Sequence, residues 1–147
     1  MKVFKIASFL GLAALISVQS IFAQERLYIN PASAQEDGAS YSSAVLVDET
    51  LYISGILGMV DGQIPEQPED EASALLDSIQ SILDVADMDM DDLVYVQIFA
   101  SDISQYGPFN RVYRTYFEQE FPARAFIGSG PLLLGATFEI QAIAVKR

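Results

Sequence analysis

Residues 69–100 read EDEASALLDSIQSILDVADMDMDDLVYVQIFA, and the hydrophobic period changes inside this stretch. Ala72, Leu75, Leu76, Ile79, Ile82, Leu83 and Ala86 recur at helical spacing, which predicts one apolar helix face. Glu69, Asp70 and Glu71 stand in the first turn, where the helix dipole favours negative charge. Leu93 to Ala100 drops that period; its β-branched and aromatic run reads as a central strand. A helix feeding a strand is thus the unit from which the rest of the chain is read.

Upstream, Arg26 to Ile29 reads as a short strand stopped by Asn30-Pro31, and 32–39 as a loop. Ser43 to Val47 and Leu51 to Ser54 are strand-like around Asp48-Glu49-Thr50, the spacing of a hairpin. Gly55 to Pro68 holds three glycines and two prolines and reads as a loop. Downstream, Asp102 and Ser104 are candidate caps of a second helix, with Pro108 in its first turn. Phe109, Val112, Tyr113, Tyr116 and Phe117 give that helix an aromatic face, which together with Tyr106 reads mostly as helix–sheet core, and Phe121-Pro122 ends it. Ala123 to Ile127 is a strand, Gly128 to Gly135 a loop, and Thr137 to Val145 the last strand. The order βββ-α-β-α-ββ predicts an α+β two-layer domain with two helices on one face of a sheet. In the last strand Phe138, Ile140, Ala142 and Ala144 share one face; Thr137, Glu139, Gln141, Ile143 and Val145 share the other. Neither face is fully polar, so the second is expected to be buried in an oligomer.

Residues 1–23 have the three-part layout of a secretory signal: Lys2 and Lys5, an uncharged apolar run, then small residues before Gln24. Cleavage is expected after Ala23. The rival reading, a retained anchor, is disfavoured because the apolar core is short of the ~20 residues that span a bilayer. No cysteine follows the apolar run, which excludes a lipoprotein signal. Cleavage leaves one domain, 24–147, with six basic and twenty acidic residues and a net charge of −14. That charge argues against nucleic acid and anionic membrane as partners.

The chain has no histidine and no cysteine. A Ser–His–Asp triad, a cysteine nucleophile and a zinc site with nitrogen or sulfur ligands are excluded at once. Carboxylate, Arg, Lys, Tyr and hydroxyl chemistry remains. Asp87-Met-Asp89-Met-Asp91-Asp92 has carboxylates at calcium-loop spacing, but Asp92 stands at the glycine position and Ile98 at the final glutamate position. A solvated acidic turn is the expectation, with no metal.

Three segments carry a resemblance: Leu51-Tyr-Ile-Ser-Gly55, Phe121-Pro-Ala-Arg124 and Phe138-Glu-Ile-Gln-Ala-Ile-Ala-Val145. They are similar to signatures of the RidA family, also called YjgF. The Asn30-Pro31 opening and Gly38-Ala-Ser-Tyr41-Ser-Ser-Ala44 resemble its N-terminal stretch. The resemblance implies a chorismate-mutase-like fold with a mixed sheet, and a homotrimer with sites between subunits. It also implies hydrolysis of reactive enamines and imines, such as 2-aminoacrylate and 2-iminobutanoate, to 2-keto acids and ammonia, without metal or other cofactor. An imine is already electrophilic, so the protein need only hold the substrate carboxylate, polarise the nitrogen and place one water.

On the same resemblance, Arg124 matches the arginine that grips the substrate carboxylate, a task that suits its planar fork. Its bland reading is an interface ion pair. Tyr41, Ser54 and Asn110 match substrate-contacting positions; their bland readings are a packed ring, a backbone-satisfied hydroxyl and a helix-surface amide. Gln141 stands where the resemblance expects a second glutamate that orients or activates water. Glutamine can hold water but cannot accept its proton. Glu139, two residues back on the same strand face, is the candidate substitute, with a cross-strand ion pair as its bland reading. Phe126 stands where some relatives have a small or thiol residue, so a narrowed pocket is expected. The competing function is a non-catalytic, carboxylate-binding or chaperone-like trimer; ribonuclease activity is poorly served by the acidic charge. The location expected from the signal is periplasmic or secreted.

Overall fold

The computed structural model describes residues 25–31, 40–118 and 120–147. The expectations for the signal segment 1–23, the 32–39 loop and Gly38 lie outside the described residues. The helical period becomes α1 (Pro68–Val85), with Pro68 in its opening turn. Its predicted stripe is buried throughout: Leu75, Ile82 and Leu83 are 0% exposed and Ala86, at the end, 7%. The helix stops where Asp87 takes a left-handed φ of 57°. The Met88 and Asp87 N–H groups then bond back to Leu83 and Asp84 O at 3.0 and 3.1 Å, a Schellman closure with aspartate in the usual glycine place.

Among the described residues six strands form one sheet: β1 (Arg26–Ile29), β2 (Ala44–Val47), β3 (Thr50–Leu57), β4 (Leu93–Ala100), β5 (Ala123–Gly128) and β6 (Phe138–Val145). Their order is β1-β2-β3-β6-β4-β5. Only β4 and β5 run parallel, so the sheet is mixed as expected. Between β4 and β5 lies α2 (Tyr106–Tyr113), which packs beside α1 on one face. Phe138, Ile140, Ala142 and Ala144 of β6 face that helical layer, at 0–2% exposure.

Three expectations shift. β3 does not end at Ser54. It continues to Leu57 because a bulge at Ser54-Gly55 absorbs one extra residue between Ile53↔Ala142 and Ile56↔Ile140. The second helix is shorter than its aromatic pattern suggests. Its α-helical part is flanked by 3-10 turns at Ile103–Gln105 and Arg114–Tyr116, so the helical run ends before Phe117 rather than at Phe121-Pro122. Asp102 caps the first of these 3-10 turns, accepting the Ser104 N–H at 2.9 Å, with Ser104 as the donor, while the α-helix itself starts after Gln105 without a side-chain cap. The aromatic group also divides. Phe109 and Tyr113 are buried, while Tyr106 is 48% exposed at the sheet edge.

The acidic turn is organised by the end of β6. Asp89 and Asp92 form a reciprocal capping box over Met90–Asp92. Arg147 bonds Asp89 and Asp92 at 2.8 Å, and Lys146 bonds Asp87 at 2.9 Å. At the other end of the strand, the buried Glu71 of α1 accepts the Thr137 and Phe138 N–H groups at 2.7 and 2.8 Å and fixes where β6 begins.

Candidate active site

The four central and edge strands β3, β6, β4 and β5 carry two charged residues between them, Arg124 and Glu139. Sheet register places these on opposite faces. Arg124 lies beside Val96, whose side chain is in the helix-facing core. Glu139 lies between Leu57 and Phe99 on the face without helices.

On the helix side, β5 is the edge strand, and Tyr113, the last residue of α2, meets it at Arg124. The Arg124 guanidinium stacks over the Tyr113 ring, 4.7 Å from its centroid, with the Tyr106 centroid at 5.8 Å. Its Nη2 makes a long 3.5 Å contact to the Tyr106 hydroxyl. Among the described residues Arg124 has no carboxylate partner, unlike Arg111, which pairs with Glu69 at 2.6 Å. A cavity of about 220 Å³ opens here, lined by Asn110, Tyr113, Arg114, Phe121, Pro122 and Arg124. Asn110 is 7% exposed, so it is no ordinary surface amide. Burial pushes the Tyr113 phenol up to about 12, against the opposing pull of Arg124. Its hydroxyl is buried without a hydrogen-bond partner among the described residues. Phe126 does not line this cavity; it packs edge-on to Tyr106 and Phe109, with ring centroids 5.0 and 5.7 Å away.

On the open face, the Ser54-Gly55 bulge lies across from Gln141. Gln97 flanks Gln141 on the other side and accepts the Tyr95 hydroxyl at 3.0 Å. The Glu139 carboxylate lies against Gly55, where any Cβ would collide with it. Among the described residues Glu139 makes no hydrogen bond and no ion pair, so the cross-strand partner is absent there. The Ser54 hydroxyl donates to Ser42 O at 2.7 Å, which commits its proton to the backbone. Tyr41, half-exposed, stands next to that Ser42. Asn30 accepts the Ser43 N–H at 2.9 Å and ties the segment to β1.

The protomer therefore joins Asn110 to Arg124, and Ser54 to Gln141 with Tyr41 nearby. It does not join the two groups. β5 and β6 are separated by β4, about 10 Å apart by strand spacing, and the groups point to opposite faces. Sequence reasoning left out two residues of this arrangement, Tyr113 as a partner of Arg124 and Gly55 as the seat of Glu139. The glycine inside a strand-like run was a usable signal for a bulge. Tyr113 was hidden in a general aromatic stripe.

A sequence model described as endoribonuclease L-PSP matches residues 32–146. The chain is 41% identical over 124 residues to a bovine 2-iminobutanoate/2-iminopropanoate deaminase, covering 82% of this chain and 90% of that protein. It is 36% identical over 128 residues to the human protein of the same name, with the same two coverages. Among solved structures it is similar to RidA from the Antarctic bacterium Psychrobacter, with a TM-score of 0.76 at 28% identity, covering 81% of this chain and 98% of that one. The YjgF gene product of E. coli superposes with a TM-score of 0.78 at 25% identity, covering 82% and 99%. The chain belongs to the RidA/YjgF family, the endoribonuclease L-PSP family of the sequence match.

Proposed function

We propose that this protein hydrolyses 2-imino and 2-enamino acids to 2-keto acids and ammonia. The observation that carries this reading is the state of the two charged residues of β3 to β6: a guanidinium and a carboxylate, neither neutralised by a partner among the described residues. The family relatives named as deaminases at 36–41% identity support it. A binding-only role is not favoured, because Glu139 supplies a proton acceptor that pure carboxylate binding does not need.

Arg124 grips the substrate carboxylate through two parallel N–H donors. Water held by the Gln141 amide and the Glu139 carboxylate adds to the imine carbon. Glu139 accepts the water proton and returns it to nitrogen. Glu139 then takes the carbinolamine hydroxyl proton and passes it to the amine nitrogen, so that the C–N bond breaks, the C=O bond forms and ammonia leaves. The two half-sites meet only if the β5 edge of one subunit reaches the open face of a neighbour. That face presents Tyr52, Phe99, Ile143 and Val145, with Tyr52 50% and Val145 37% exposed, and a homotrimer with intersubunit sites is the assembly proposed. Residues 1–23 are proposed as a cleaved export signal, placing the enzyme in the periplasm or outside the cell; N-terminal sequencing of the exported protein tests this.

The central test uses residues 24–147 with 2-aminoacrylate and 2-iminobutanoate generated in place and keto-acid release followed. Wild type is expected to be active, and Arg124→Ala to lose about 10²-fold or more in kcat/KM, the cost of leaving one member of a charged pair alone. Wild-type silence on both substrates would overturn the proposal. Activity untouched in Arg124→Ala would remove its carboxylate anchor.

A further inference from the structure

We infer that Tyr113 is a positioning residue for Arg124: the phenol ring, in place of an acid, holds the guanidinium and leaves its donor fork free for the substrate. The inference rests on the deaminase reading but adds a residue and a reason. An arginine at a sheet edge in a chain with twenty acidic residues has many chances to find a carboxylate. Arg111 and Arg147 both do; Arg124, among the described residues, does not.

What it has is the Tyr113 π-face 4.7 Å away, with the Tyr106 ring farther off at 5.8 Å and one long 3.5 Å contact from Nη2 to the Tyr106 hydroxyl. A ring quadrupole attracts the cation without neutralising it and uses none of its N–H donors. An acid partner would do the opposite on both counts. The ring itself is clamped. Phe109, Phe117 and Phe121 have centroids 5.7, 4.8 and 6.3 Å from that of Tyr113. The side chain is 2% exposed and sits at the last residue of α2, so helix and strand together set the guanidinium position. Within the described residues the Tyr113 hydroxyl bonds to nothing, so the ring, which also packs in the core, and not the phenol carries the function. Burial keeps that phenol protonated, with its titration up at about 12, and no phenolate forms to compete for the cation.

The test compares Tyr113→Phe, which keeps the face, with Tyr113→Leu, which removes it. The first readout needs no turnover. In NMR spectra the Arg124 side-chain protons are expected to be shifted upfield by the ring current in wild type and Tyr113→Phe, and to return to ordinary positions in Tyr113→Leu. The second is kinetic. Tyr113→Phe is expected within twofold of wild type, while Tyr113→Leu raises KM about tenfold with kcat changed much less. Thermal unfolding of each variant separates lost fold from lost positioning. Absence of the upfield shift in wild type overturns the inference, whether or not the protein is a deaminase. A Tyr113→Phe loss equal to that of Tyr113→Leu overturns it too, because the hydroxyl would then be the working group. A silent wild type that still shows the shift sinks only the deaminase reading.

Discussion

Arg124 and Glu139 are both charged residues on strands, where a charge normally seeks a partner or solvent. The roles proposed for them rest on their isolation among the described residues. Glu139→Gln is expected to lower kcat by about 10²–10⁴-fold, the range of a lost general base. Gln141→Glu is expected to keep activity, since Glu139 already supplies the carboxylate; a steady-state assay of both variants checks this. Rescue of a dead wild type by Gln141→Glu would instead show that position 141 is where the base belongs. Asp92 tests the electrostatics of the fold. Burial pushes its carboxyl up, but the Asp89 N–H and Arg147 outweigh this and hold it below the usual value. A depressed folded value stabilises the native state above the unfolded value near ~3.9, and that stability is lost as pH falls through the folded value. Asp92→Asn should therefore cost about 1–2 kcal/mol at pH 7, and the gap from wild type should close below about pH 4 in urea unfolding.

At the scale of elements, the bulge in β3 does most to shape the open-face half-site. It puts two residues opposite Gln141 and leaves room at Gly55 for the Glu139 carboxylate. Gly55→Ala is expected to lower kcat by about 10²-fold, because a displaced carboxylate loses its attack geometry. The collision is with the far end of a flexible side chain, so the unfolding midpoint should move little. A large fall in stability with kcat preserved would contradict this account. The α1 stripe was legible in the sequence because Leu75, Leu76 and Ile79 repeat at the helical period and all are buried. The bulge was not, because a glycine in a strand-like run marks both a loop and a bulge. The pairing partner across the sheet decides between them. The same limit applies to α2, where aromatic residues continue past Tyr113 although the α-helix does not.

At the scale of the molecule, the open sheet face is the boundary condition. Ile143 faces it between Tyr52 and Tyr95. If the proposed trimer forms through this face, Ile143→Glu is expected to give monomers in sedimentation and to abolish turnover, since a charge buried in an apolar interface is costly. An oligomer of unchanged size would remove the intersubunit site. The sequence by itself determined the order of elements, the helix faces and the poverty of available chemistry. Periodicity and composition are local properties, and the absence of histidine and cysteine needs no coordinates. It also named Arg124 and placed Glu139 and Gln141 on one face, because alternation along a strand is local too. Only the tertiary structure showed that β4 separates β6 from β5 and that its register with each sets arginine and carboxylate on opposite faces within one chain. Only it showed that Arg124 rests on Tyr113 and that Glu139 rests on Gly55. Those facts depend on strand order and on contacts between residues far apart in the chain, and no local period encodes either.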